Sequence, residues 1–242
     1  MAPGRAGAGM IHLIGWRVAG PEALDFWERR LGDEGVPVQR EGERLRFADP
    51  EGLEHELRIS HADDEPLIAD HPEVPAEVAL QGFDGVRAYT NDPAASRDLL
   101  EDALGFAPRH DGYEVRGERR GSLYAYDAAP GEPGRQGAGS VHHVAFASAP
   151  EEHEAWRRRV IEGGARPTPV IDRFYFKSIY FREPSGVLFE IATIGPGFTT
   201  DEPLEHLGER LSLPPRFEPL RERVERQLTA VENPRTAPTR AG

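Results

Sequence analysis

The sequence contains no cysteine, which excludes a disulfide framework, thiolate zinc and iron–sulfur sites, and a cysteine nucleophile. Any metal must be held by histidine and carboxylate. It also lacks a run of lysine and arginine, and its 29 basic against 42 acidic residues leave a formal charge of −13 and a pI near 5.2. Nucleic-acid grooves and anionic membrane surfaces are met by concentrated positive charge, so small molecules are the expected ligands. No apolar run reaches the roughly 18 residues of a membrane span, and the opening MAPGRAGAGM lacks the apolar centre of a signal peptide. The expectation is a soluble cytoplasmic protein. What the chain has in quantity is turn formers, 26 glycines and 22 prolines, beside a hydrophobic fraction of 38%. Many short elements around one or two ordinary cores follow.

The chain repeats itself. PGRAGAGMIHLIGWRVAGP from Pro3 lies over PGRQGAGSVHHVAFASAP from Pro133, and Phe47–Leu57 lies over Phe181–Ile191. A weaker third copy starts at Gly82. Self-similarity at this spacing signals a repeated supersecondary unit. Each copy opens on an alternating apolar run (Ile11 to Val18, Phe83 to Thr90, Val141 to Ser148), which reads as a strand. Pro21, Pro93 and Pro150 then start helices whose apolar spacing runs through Leu24, Trp27 and Leu31, through Ala95, Leu99 and Ala103, and through Trp156 and Val160. Gly32, Gly105 and Gly163 are the expected stops. The rest of each copy alternates like strands and closes through a turn such as Asp49-Pro50-Glu51-Gly52 or Glu183-Pro184-Ser185-Gly186.

The predicted fold class is therefore α+β, built from three βαβββ units. Residues 1–128 are read as two units paired into a scaffold half, with an acidic, proline-bearing linker at about 61–79. Residues 129–200 hold the third unit behind a Gly/Pro linker at 129–139. Residues 201–242 form a helical tail with helical spacing at Leu220, Val224 and Leu228 and a polar end expected to fray. The tail is assigned packing and no chemistry.

Polar residues at core positions mark where chemistry could sit. Glu190 shares its strand face with Leu188 and Ala192, so its carboxylate must be paired or ligating. Its repeat partner Glu56 shares a face with Glu54 and Arg58 and reads as solvated surface. His143 lies between Val141 and Ala145, where the first copy has Leu13. Imidazole and carboxylate on neighbouring strands suit a divalent ion. From spacing alone, the commoner explanation of this pair is a satisfied core histidine and a glutamate with an arginine partner. His12 is read as structural, beside Ile14 and Trp16.

Paired βαβββ units with a histidine on the first strand and a glutamate on the last resemble the vicinal oxygen chelate superfamily of glyoxalase I, bleomycin-resistance proteins and extradiol dioxygenases. GSVHHVAF at 139–146, DRFYFKSIYFREPSGVLFEIAT at 172–193 and GPGFTTDEPLEHLGERLSLPP at 195–215 resemble more narrowly the ring-cleaving dioxygenases of hydroquinones. The resemblance, which covers nearly the whole chain, implies curved mixed sheets and a set of roles. His143 and Glu190 match metal ligands, Tyr180 a tyrosine that donates to substrate or oxygen, Arg173 an arginine facing the substrate anion, and His142 the neighbouring histidine. Core packing for Tyr180 and a surface place for Arg173 are the ordinary alternatives. Core packing is an equal alternative for His142, which would face with Val144 and Phe146.

The implied cofactor is Fe(II), with Mn(II), Zn(II) or Ni(II) as alternatives, and the implied ligands are a small aromatic and O2. Relatives of this kind have four units, and MAPGRAGAG resembles their linker between units one and two; on that reading the first unit, with the histidine that completes the ligand set, is absent. Asp84 replaces a histidine of the family's GxHGV and could ligate, but a surface or turn aspartate is the better reading. An unpaired third unit suggests a homodimer whose two His143–Glu190 pairs meet. The expected function is an Fe(II)-dependent ring-cleaving dioxygenase of hydroquinone- or catechol-like aromatics, truncated or inactive in this chain if the ligand set stays incomplete. A glyoxalase-type isomerase or lyase and a non-catalytic aromatic-binding protein are the alternatives.

Overall fold

The computed structural model describes residues 2–229; the polar end of the tail lies outside the described residues. Three units follow one another along the chain. The first comprises β1 (Met10–Val18), α1 (Pro21–Asp33), β2 (Val38–Glu41), β3 (Arg44–Ala48) and β4 (Glu54–Ile59). The second comprises β5 (Phe83–Thr90), a helical stretch with one 3-10 turn (Pro93–Ser96) and one wide π turn (Leu99–Ala103), then β6 (Ala107–Arg109), β7 (Gly112–Arg116) and β8 (Gly121–Ala128). The third comprises β9 (Val144–Ser148), α2 (His153–Glu162), β10 (Ile171–Asp172), β11 (Lys177–Arg182) and β12 (Leu188–Thr193). A run of short 3-10 turns and α3 (Arg221–Glu225) completes the described chain. Among the described residues no helix is long and apolar enough to cross a membrane.

The α+β expectation holds, with mixed sheets. The first two units share one eight-stranded sheet in the order β2-β3-β4-β1-β5-β8-β7-β6, joined where β1 runs antiparallel to β5. The third unit forms its own sheet, β10-β11-β12-β9, with β12 parallel to β9. Within each unit the helix returns the chain so that first and last strands pair in parallel, as in β1 with β4 and β5 with β8.

Proline and burial explain the helices. Pro21 occupies the first turn of α1, and Ala23 and Leu24 bury the face that meets Leu45 and Leu57. The expected stop at Gly32 is displaced: α1 continues to Asp33, and the left-handed residue that ends it is Gly35, φ 73°. Gly163 does cap α2, and it also permits a close approach. A Cβ there would lie 2.6 Å from the Ala103 Cβ, so Gly163→Ala would push the third unit away from the second.

A larger core joins these two units, through Leu99, Leu100, Phe106 and Tyr124 from one side and Val160, Ile179, Phe181, Phe189 and Ile191 from the other. A buried carboxylate pins them as well. Glu183, 1% exposed, accepts from the Ser96 hydroxyl, from Tyr126 Oη at 3.0 Å and from the backbone N–H groups of Ser185 and Val187 at 2.8 and 3.0 Å.

The eight-stranded sheet wraps around charge. Glu56, expected on a solvated surface, is 1% exposed. Arg46 Nε donates to it at 2.7 Å and Arg58 Nη2 at 2.8 Å. Burial pushes its carboxyl up, but the two guanidinium groups outweigh that and hold it below the usual range. Buried Arg17 meets Asp64 at 2.6 Å, Asp84 at 3.1 Å and the Gly121 carbonyl at 2.6 Å. His12 is structural, as expected: it stacks on Tyr89 at 3.8 Å and bonds Asp127 at 2.8 Å.

This network carries a pH dependence. Hydrogen bonds from Arg87 depress the Asp127 carboxyl to about 2, and Arg116 and Arg17 likewise hold Asp64 low. Both groups titrate near 3.9 when unfolded, so their stabilisation is complete above that pH and is lost as pH falls towards 2. Arg87→Met is expected to raise the pH midpoint of acid unfolding, read by far-UV circular dichroism, with little change at pH 7 in how steeply urea unfolds the protein.

Candidate metal centre

The site lies on the face of the third sheet opposite its core. Side chains alternate along a strand, so Phe189 and Ile191 enter the core while Glu190 between them turns to the other face. Register then assembles its neighbours. Tyr180 on β11 lies directly across from Glu190, and Ser178 across from Ala192. On the other side Glu190 is opposite Ala145 of β9, which places His143, just ahead of that strand, beside the carboxylate.

Glu190 is 4% exposed and uses both oxygens. Oε1 accepts from Tyr180 Oη at 2.7 Å and from the Ser178 hydroxyl. Oε2 lies 2.7 Å from His143 Nε2. No arginine is bonded to Glu190 among the described residues, so its ordinary explanation as an arginine-paired glutamate does not hold. The ring of His143 stands perpendicular to that of Tyr180, centroids 5.8 Å apart. Its Nδ1 is 2.9 Å from Nδ1 of His142, one ring donating to the other.

Of the five residues singled out from the sequence, four therefore touch in a chain, His142–His143–Glu190–Tyr180. The fifth, Arg173, sits above it with its guanidinium carbon 5.4 Å from the centre of the Tyr180 ring. His142 is exposed, so its alternative as a core histidine is corrected. The cause is that β9 begins at Val144 instead of Val141, and the alternation expected for residues 141–143 does not apply. Asp84 is not near the cluster: it bonds Arg17 and lies 3.5 Å from Arg58. The sequence alone does not mark Ser178; its one signal there is its position two residues before Tyr180 on the same strand face.

The donor set suits a first-row divalent cation. A bound ion at about 2.0–2.2 Å from nitrogen and oxygen ligands holds adjacent donors about 3 Å apart, close to the separation of His143 Nε2 and Glu190 Oε2. The other oxygen is engaged by two hydroxyls, and the other ring nitrogen meets a polar neighbour, the outer contacts that orient ligands at metal sites. These are two protein donors only. Among the described residues no group of three or more histidine, aspartate and glutamate side chains converges on one point.

Residues 82–191 match the Glyoxalase/Bleomycin resistance protein/Dioxygenase superfamily. MhqO of Bacillus subtilis (strain 168), provisionally named a ring-cleaving dioxygenase, is 38% identical over 219 residues, spanning 87% of this chain and 70% of its own. The chlorohydroquinone/hydroquinone 1,2-dioxygenase of Sphingobium indicum is 33% identical over 93% of this chain and 74% of its own. The crystal structure of a provisionally named dioxygenase from Bacillus subtilis superposes with a TM-score of 0.84 at 36% identity, covering 95% of this chain and 76% of that one. Glyoxalase I from Zea mays shares the fold, TM-score 0.52 at 14% identity, over 79% of this chain and 68% of that one. Repeated units, mixed sheets and relatives agree: the chain belongs to the glyoxalase, bleomycin-resistance and dioxygenase superfamily, among relatives that carry ring-cleaving dioxygenase names.

Proposed function

We propose that the protein is a metal-dependent ring-cleaving dioxygenase of hydroquinone- or catechol-like aromatics, with His143 and Glu190 as ligands of Fe(II). The observation that carries this reading is the convergence of His143 Nε2 and Glu190 Oε2, 2.7 Å apart, on a sheet face with Tyr180 and Arg173 beside them. When bound, Fe(II) supplies the electron transfer between ring and O2 that no side chain here can perform. The chain's own groups do the rest. Tyr180 Oη, whose one proton rests on Glu190, would turn that proton to an oxygen of the ligand, and the Arg173 guanidinium offers a positive fork to an ionised hydroxyl. His142 steadies the His143 ring in the orientation that leaves Nε2 to the metal.

The third sheet supports a homodimer that supplies the remaining donors. Among the described residues β9 is an edge strand, hydrogen-bonded on one side only to β12, and Ala145 and Ala147 on it are exposed. The corresponding strands of the first two units, β1 and β5, pair with each other antiparallel. A second copy paired in that manner through β9 would bring two His143–Glu190 pairs together, satisfying the open edge by the commonest symmetry. Sedimentation of the Fe(II)-loaded protein is expected to give a dimer; a strictly monomeric species would remove the shared site.

Oxygen uptake tests the reaction. Addition of hydroquinone to protein loaded anaerobically with Fe(II) is expected to consume O2 stoichiometrically with ring loss, and Zn(II)-loaded protein is expected to consume none. Uptake that is absent with Fe(II), or equal with both metals, would contradict the proposal. His143→Ala is expected to lose bound metal, by elemental analysis, by more than the roughly 10–100-fold in affinity that follows loss of an outer partner.

A further inference from the structure

Among the described residues, Phe174 is the non-glycine residue with positive φ, at 73°. For a bulky side chain this conformation is a true outlier, costing on the order of 1–3 kcal/mol, and it persists only where the surroundings over-determine it. The surroundings here are unusually specific. Asp172 Oδ1 accepts the Phe174 N–H at 2.7 Å, and the Arg173 N–H closes the turn on the Phe176 carbonyl at 2.9 Å. Residues from beyond the third sheet then grip the turn from outside. The Gly197 N–H donates to the Tyr175 carbonyl at 2.8 Å. The Tyr175 hydroxyl donates to Asp201 Oδ2 at 2.8 Å, and Phe198 packs on the Tyr175 ring at 5.2 Å. Arg216 reaches the Asp172 carbonyl at 3.5 Å. Next to Phe174 in this turn is Arg173, whose guanidinium lies over Tyr180.

We propose that residues 197–216 form a clasp on the Asp172–Phe176 turn, and that Tyr175 and Asp201 are positioning residues that set where Arg173 meets an anionic oxygen of an aromatic ligand. The segment assigned only packing from its sequence thus sets ligand affinity through Arg173. Burial and the nearby Asp201 carboxylate push the Tyr175 phenol up, which keeps it a neutral donor at working pH. The role in ligand binding rests on the proposed function; the clasp itself does not.

The experiment has two arms, run on the full chain with Tyr175→Phe, Asp201→Asn and Asp201→Glu. In the first, trypsin cleavage at the Arg173–Phe174 bond is followed by mass spectrometry. Loss of one hydrogen bond to a charged acceptor is worth about a tenfold change in the opening equilibrium. Tyr175→Phe is therefore expected to be cut about tenfold faster, and Asp201→Asn faster by a smaller factor because its amide oxygen still accepts but carries no charge, with Asp201→Glu nearer the parent protein. In the second, steady-state O2 uptake with hydroquinone is expected to show KM raised about tenfold in Tyr175→Phe, less in Asp201→Asn, and kcat within a factor of two in both, because Arg173 is displaced while the metal ligands are not. Unchanged cleavage rates would overturn the clasp. Faster cleavage with unchanged KM, or with kcat falling instead, would overturn the positioning role. Faster cleavage in protein that neither binds nor turns over hydroquinone would uphold the clasp, overturn its role toward this ligand and identify the proposed function as the part that failed.

Discussion

Glu190→Gln is expected to abolish metal retention and ring cleavage while leaving the protein folded. The substitution keeps an oxygen for the Tyr180 and Ser178 hydroxyls and keeps the side-chain volume, but it removes the negative charge that the proposed ion would take from this side chain. With His143 then the one remaining donor of the pair, turnover is expected to fall by roughly a thousandfold or more, beyond the 10–100-fold typical of outer contacts. The melting temperature without metal is expected to stay within about 3 °C, since one buried polar side chain replaces another with its principal partners kept. Elemental analysis, O2 uptake and a thermal melt on the same preparation separate these effects. A variant that keeps stoichiometric metal would show that Glu190 is an ordinary buried glutamate.

The largest effect on stability is expected from Glu183→Ala. The carboxylate is nearly inaccessible and answers four donors at once, two of them hydroxyls from the second unit and two of them N–H groups of its own turn. Alanine would leave a void between Tyr126 and the 183–187 turn, with the Tyr126 hydroxyl and the Val187 N–H losing their acceptor and Ser96 and Ser185 left to bond each other. A buried donor without an acceptor costs about 1–3 kcal/mol, which with the void makes about 3–5 kcal/mol, and a chain of this length loses roughly 2–4 °C per kcal/mol. A fall in melting temperature of about 8–15 °C is expected. Because Glu183 joins the second and third units, the loss should appear first as detachment of the third sheet, seen as faster hydrogen exchange in β9, β11 and β12 than in β1 and β5. Uniform acceleration across both sheets, or a shift below about 3 °C, would show that the apolar core alone joins the units.

The fold was readable because repetition multiplies weak local signals. One proline, one apolar helix face and one turn are ambiguous alone, but three copies in one order leave few alternatives to βαβββ. Boundaries were less readable. The helix expected after Pro93 is a 3-10 turn followed by a π turn, and Gly35, not Gly32, takes the left-handed position after α1, since packing against the sheet decides where each helix stops.

The site divides along the same line. Glu190 stood out because its own strand neighbours are apolar, a comparison that needs only alternation. Glu56 misled because the same comparison finds charged neighbours and infers water. In the folded chain its companions are Arg46 and Arg58 on a face enclosed by the curved sheet, and β3–β4 register, which pairs Arg46 with Glu56, is not visible in a linear sequence. Ser178 and the Tyr175–Asp201 contact were hidden for the same reason: each depends on which residues tertiary packing sets opposite one another.

The most direct test of the account is anomalous diffraction from crystals grown with Co(II), whose absorption edge marks the ion without ambiguity. The expected result is a single strong peak about 2.0–2.2 Å from both His143 Nε2 and Glu190 Oε2, with Tyr180 still bonded to the other carboxylate oxygen. His143 remaining hydrogen-bonded to Glu190, with the ion bound elsewhere or not at all, would contradict it.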